Sequence, residues 1–230
     1  MNLENWREKA FILAMIGSIQ SFILIPAAML FYAGGTVDDP TAPGFSLWTS
    51  FLSDLGRLTA YSGLPNLVSA LLFNVSLFLM GAFLIPYFLA VPYFFRGLRE
   101  ARWFSIAGSA IGIFMALTFI GGSLTPSDTL LRPIHLTFGV LGFMSCLPII
   151  ILYTFAIFEN RAYPNRYAFT FMALGAISLV FLLLMIQGAD SGDMAAIFTA
   201  GQKVAVASIL LCFLIQAYGA WKLHKSWDDR

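Results

Sequence analysis

Apolar positions in this chain form long unbroken runs, without the alternation of a half-buried strand or the three-to-four spacing of a surface helix. Six stretches, residues 11–32, 67–95, 103–124, 134–158, 168–187 and 204–221, contain no Asp, Glu, Lys or Arg. Roughly 20 apolar residues in a helix cross a hydrocarbon core about 30 Å thick. The pattern therefore predicts an all-α polytopic membrane protein, a bundle of six transmembrane helices forming one domain over residues 1–230. The second run is longer than a perpendicular crossing needs, and Pro86 and Pro92 are expected to kink it or to end it in the headgroup region. The first run exceeds the 7–15 apolar residues, or about that, of a signal peptide and reads as a retained span. Cleavage after it would leave five spans and an outside N-terminus.

Composition agrees with the pattern. Charged residues make up 11% of the chain and hydrophobic ones 59%, with a mean hydropathy of +0.82. Soluble domains carry about 25% charged residues, so an ordinary wet surface is ruled out. A net charge of +1 offers no basic field for nucleic acid, and membrane lipids are the expected partners. Cys146 and Cys212 lie inside apolar runs and read as small buried side chains.

Basic residues set the expected orientation. Ten of the 13 Lys and Arg residues fall on one side: the N-terminus, the two short connections near Arg99 and Arg161, and the C-terminal tail. Arg57, Arg132 and Lys203 fall on the other. The positive-inside rule places both termini in the cytoplasm of a cell-membrane protein. Trp6, Trp103, Trp221 and Trp227 near the same side suit an interfacial aromatic belt.

The outside loops hold the candidate chemistry. Residues 33–66 make a long first loop, opening on the turn-forming Gly34-Gly35 and Asp38-Asp39-Pro40. Within it, Trp48, Phe51, Leu52, Leu55 and Thr59 recur at helical spacing opposite Ser50, Asp54, Arg57 and Tyr61, predicting a short amphipathic extracytoplasmic helix over 45–61. Gly56 is a weak point at which that helix can break, leaving Ser53-Asp54-Leu55-Gly56 as a turn that directs Asp54 toward the bundle. Thr125-Pro126-Ser127-Asp128 resembles a helix start, which makes Asp128 a capping acid before it is a functional one. Arg132 and His135 follow at the head of the fourth span.

Asp54, Arg57, Asp128, Arg132 and His135 thus share one membrane face. His135, Asp54 and Asp128 are the candidate acid–base groups; Asp54, Arg57, Arg132, His135 and Asn74 are the candidate ligand-binding set. Within the spans Gln20, Asn74, Gln187 and Gln216 are the largest polar side chains, and interhelical hydrogen bonds account for such residues. The span cores hold no intramembrane acid or base of the kind ion-coupled carriers use. Phosphate-binding, dinucleotide-binding and zinc-protease motifs are missing, and two histidines on opposite sides of the membrane make no zinc site, so no cofactor is expected. Gly108-Ser109-Ala110-Ile111-Gly112 allows close helix approach, read as packing within the chain ahead of dimerisation, with homo-oligomer state left open.

The run Phe51-Leu52-Ser53-Asp54-Leu55-Gly56, then Pro65-Asn66, then Leu72-Phe73-Asn74 opening a long span, resembles the uncharacterised prokaryotic six-helix membrane proteins of domain-of-unknown-function family nine-nine-eight. Pro126, Asp128 and His135 match the second outer loop of that family. A more distant similarity is to the eukaryotic Frag/DRAM/Sfk-like membrane proteins, which share a Ser-Asp turn in the first outer loop. The resemblance implies six helices and singles out Ser53, Asp54, Gly56, Asn74 and His135, without supplying an activity. Three readings follow: a lipid-binding or sensing protein with its pocket toward the outer leaflet, a membrane enzyme using His135 with Asp54 on a lipid or lipid-linked substrate, and an uncoupled small-solute transporter. A protein partner is not identified by any motif.

Overall fold

In the computed structural model, which describes residues 3–187 and 192–228, the apolar runs become six long helices. They are α1 (Leu3–Leu30), α2 (Leu67–Ala90), α3 (Arg99–Ser123), α4 (Arg132–Glu159), α5 (Arg166–Gln187) and α6 (Gly192–Asp228). All six are long and apolar enough to span a bilayer, so the chain is a multi-pass helical membrane protein. The long second run resolves into α2, which contains Pro86, and a 3-10 helix, Val91–Phe95, that begins around Pro92. This tighter-wound turn, Val91–Phe95, carries the chain from the end of α2 to Arg96.

Each helix packs on its neighbour in chain order and α6 closes on α1, giving a six-membered ring. In lipid no hydrophobic force holds helices together, so close van der Waals packing and interhelical hydrogen bonds must. The half of the ring nearest the chain termini is filled with rings: Phe11, Tyr87, Phe88, Phe95, Tyr153, Tyr163, Phe171 and Phe213 are almost fully buried. Tyr153 stacks on Phe171 with centroids 5.7 Å apart, and Phe95 on Tyr163 at 5.4 Å. Small residues let these rings in. A Cβ on Gly112 would lie 2.3 Å from the Phe88 ring, and one on Gly108 would lie 3.0 Å from Tyr153. The glycine pair of α3 therefore serves contacts with α2 and α4 inside the ring. Between them Ser109 Oγ bonds the Phe88 carbonyl at 2.5 Å and lies 2.7 Å from the Tyr153 hydroxyl.

At the opposite end, the connection between α1 and α2 folds back over the ring as a lid. Its structure corrects the expected amphipathic helix over 45–61. Only a five-residue 3-10 helix, Leu52–Gly56, forms, followed by extended backbone at Arg57 and an isolated bridge between Thr59 and Pro65. Side chains capture the backbone groups that a longer helix would have paired. Ser46 Oγ accepts from the Trp48 and Thr49 amides, and Asp54 Oδ2 accepts from the Phe51 amide at 2.7 Å. Gly56 must also approach α2 closely, since a Cβ there would lie 2.7 Å from Asn74 Oδ1 and 3.0 Å from Phe73. Gly35 is held at φ +80°, with the Ser62 amide where a Cβ would go, so only glycine fits.

A second correction concerns Asp128. No helix starts at Thr125; its hydroxyl donates back to the Gly121 carbonyl at the end of α3, and α4 begins at Arg132 with Pro133 in its first turn. Asp128 is free of the capping role and bonds the lid.

Candidate functional site

Three sets of hydrogen bonds sew the lid to the ring. Asn66, at the head of α2 and buried, accepts from the Ala33 amide and donates to the Leu55 and Arg57 carbonyls. Ser69 adds a second donor to the Leu55 carbonyl, and Asn74 Nδ2 donates to that of Gly56. From the loop before α4, the Asp128 carboxylate accepts the Leu58 and Thr59 amides at 3.1 and 2.8 Å. From α6, Gln202 Oε1 accepts the Leu52 amide at 2.9 Å, Lys203 donates to the Ser50 carbonyl, and Thr199 donates to that of Trp48.

Beneath the lid, on the side of α4, α5 and α6, lies a cavity of about 330 Å³. Its polar wall comprises Ser53, Asp54, Tyr61, Ser127, Arg132, His135 and Gln202; Phe51, Phe143, Phe181 and Phe198 supply apolar faces. Leu136 and Val140, exposed on the outward face of α4, also border it and bring it to the apolar surface of the bundle. A narrower cavity of about 110 Å³ shares Ser53, His135, Gly139, Phe143 and Gln202 with it and runs between Leu77, Phe119, Phe138 and Val206. The two cavities adjoin at these shared residues, the larger with its polar wall under the lid and the smaller mainly apolar within the ring.

His135 lines both parts and is 9% exposed. Its Nδ1 lies 3.2 Å from the Gly122 carbonyl. A carbonyl only accepts, so the bond assigns the proton to Nδ1 and leaves Nε2 as an acceptor in the neutral ring. No carboxylate is hydrogen-bonded to the ring among the described residues, so the expected His135–Asp54 pairing takes the form of two groups on one cavity wall.

Asp54 is 3% exposed. Burial pushes its carboxyl up to about 6, against the opposing pull of the Phe51 amide and of Arg57, Lys203 and Arg132 nearby. An acid raised in the fold holds its proton more tightly there than in the unfolded chain. Stability therefore rises as pH falls through 6 toward the unfolded value near 4, and above 6 the charge costs about 3 kcal/mol. Ligand-free Asp54→Asn is expected to be more stable than wild type at pH 7.5 by about 2–3 kcal/mol, with the gap closing by pH 4. Melting temperatures measured across that range check this; parallel curves for the two proteins would refute it.

The structure gathers Asp54, Arg132 and His135 around the cavity and gives the other candidates different tasks. Arg57 lies 3.8 Å above the Tyr61 ring and donates Nε to the Thr59 carbonyl, while Asn74 and Asp128 hold the lid. Reasoning from sequence missed Gln202, Tyr61 and Ser127 as cavity residues and Asn66 as the central tie. Thr199, Gln202 and Lys203, at helical spacing on the first turns of α6, were a legible polar stripe facing the lid. No three His, Cys, Asp or Glu side chains converge to hold a metal among the described residues.

No curated protein and no solved structure shows significant similarity to the chain. A family model described as a protein of unknown function, DUF998, matches residues 25–216, which includes the whole lid, every cavity residue named above, all of α2 to α5 and most of α6, but only the end of α1. With its Ser-Asp-Leu-Gly turn, its lid and most of its helical residues inside that match, the chain belongs to the DUF998 family.

Proposed function

We propose that the protein binds a lipid or other amphipathic molecule in the space beneath the lid, on the outer-leaflet side of a cell membrane. The observation that carries this reading is the pair of adjoining cavities, one with a polar wall under the lid and one mainly apolar inside the ring. Sites of this kind, apolar with a few convergent polar groups, suit amphiphiles. Exposed Leu136 and Val140 at the cavity's edge favour entry from lipid. The positive-inside distribution supports cytoplasmic termini and an outer lid.

Native mass spectrometry with lipid analysis of the gently purified protein tests the proposal. One co-purifying lipid class is expected, reduced in Asp54→Asn and in His135→Ala while both variants keep the wild-type circular dichroism spectrum. A preparation free of lipid that also takes up none from mixed micelles would overturn it.

The position of His135 favours a second reading, an enzyme acting on a lipid or lipid-linked substrate. The Gly122 carbonyl fixes the ring so that Nε2 can accept a proton beside the cavity. Turnover of the retained lipid, lost in His135→Ala with binding intact, would distinguish this reading from binding alone.

A further inference from the structure

The cavity presents two charges that the protein leaves unpaired. Asp54 Oδ2 is bonded to the Phe51 amide, while the other oxygen has no protein partner and is not sealed from the cavity that the residue lines. Cations lie near, but their donors are engaged elsewhere. Lys203 donates to the Ser50 and Thr199 carbonyls and sits 5.4 Å from the Phe45 ring centre, and Arg57 is laid on Tyr61. Arg132 borders the same cavity, and its exposed guanidinium makes no hydrogen bond or ion pair among the described residues. A buried carboxylate without a cation is unfavourable in any fold, and here the missing cation has a place to come from, the cavity.

We infer that the ligand is an amphiphile with a zwitterionic headgroup, its ammonium received by Asp54 and its anionic group by Arg132. This rests on the reading of the cavity as an amphiphile site and adds the headgroup. An anionic headgroup satisfies Arg132 and sets a second negative charge against buried Asp54. A purely cationic one satisfies Asp54 and meets the field of Arg132. A neutral one leaves both unpaired. Only a headgroup carrying both signs answers both. Its size is bounded as well: about 330 Å³ stands at the small end of the roughly 300–1,000 Å³ of ligand sites. The adjoining slot of about 110 Å³ between Leu77, Phe119, Phe138 and Val206 has room for no more than a short apolar segment.

The experiment is a titration of the full chain in nanodiscs with four probes of equal chain length. These are a lysophosphatidylethanolamine, a lysophosphatidylglycerol, an alkyltrimethylammonium and a monoacylglycerol. The zwitterion is expected to bind wild type about tenfold or more tightly than each of the others, the value of one charge-assisted contact. Asp54→Asn should erase its advantage over the anionic probe, and Arg132→Gln its advantage over the cationic probe, with Arg132→Lys restoring most of the latter. Melting curves of each variant establish that it is folded. Equal affinities, or a preference for the anionic probe, would overturn the zwitterion assignment and leave amphiphile binding standing. Binding of no probe would overturn both.

Discussion

Asn66→Asp is expected to release the lid, the largest effect of any near-isosteric change in the protein. The Asn66 amide stands among one donor and two acceptors: the Ala33 amide faces its oxygen, and the Leu55 and Arg57 carbonyls face its nitrogen at 3.2 and 2.9 Å. That environment dictates which way the amide points. An aspartate keeps the first bond and turns an anionic oxygen toward both carbonyls, in a site 2% exposed. Two donated bonds are lost, the Arg57 carbonyl is left unsatisfied while Ser69 still donates to that of Leu55, and a charge is buried, for about 3–5 kcal/mol in all. Asn66→Ala loses all three bonds but adds no repulsion, and should cost less. Limited proteolysis is the readout, with cleavage between residues 34 and 64 expected in Asn66→Asp and resistance in wild type. A variant as resistant as wild type would mean that the α6 and Asp128 contacts hold the lid without Asn66.

Second in size is a pair of glycine-to-alanine changes in adjacent helices with opposite outcomes. In Gly112→Ala the new methyl would lie 2.3–2.5 Å from three atoms of the Phe88 ring. That ring is fully buried and held edge-on by Tyr87 at 5.2 Å and Phe213 at 5.6 Å, so it has nowhere to go. Overpacking of this kind costs about 1–3 kcal/mol. Gly139 of α4 has nothing within 4 Å of its Cβ position, and alanine there gains up to about 1 kcal/mol of helix propensity. Thermal unfolding in detergent should therefore separate the variants by about 1–4 kcal/mol, Gly112→Ala below wild type and Gly139→Ala at or above it. Equal stabilities would refute the packing role of the α3 glycines.

The six helices were legible because a bilayer demands long runs without charge, and such runs can be read residue by residue. The turn at Asp54 was legible too, since Gly56 breaks the amphipathic pattern where the 3-10 helix ends. The expected helix over 45–61 failed for a physical reason. Spacings of three and four among Trp48, Phe51, Leu52 and Leu55 report which side is apolar, and a short turn satisfies them as well as a helix does. The task of Asp128 was hidden for a different reason. Its carboxylate binds amides some 70 residues earlier in the chain, and Gln202 bonds Leu52 across 150 residues. No local pattern encodes such pairings. Charge and polarity along the sequence located the end of the bundle where chemistry gathers; the partners of each group came only from the ring and its lid.

The filled half of the ring has a consequence for direction. Gln20, Asn74 and Gln216 do not line up into a polar path. Gln20 bonds Gly17, Ser21 and Ser76; Asn74 bonds Gly56; Gln216 bonds Tyr167 and Thr170. Between the lid end and the termini stand Tyr87, Phe88, Tyr153 and Phe213, all buried. The bundle is a cup, closed at its base. A ligand bound under the lid as proposed would leave by the way it came, and its occupancy would follow the composition of the leaflet on the lid side. On that reading the protein would report the state of one face of its membrane.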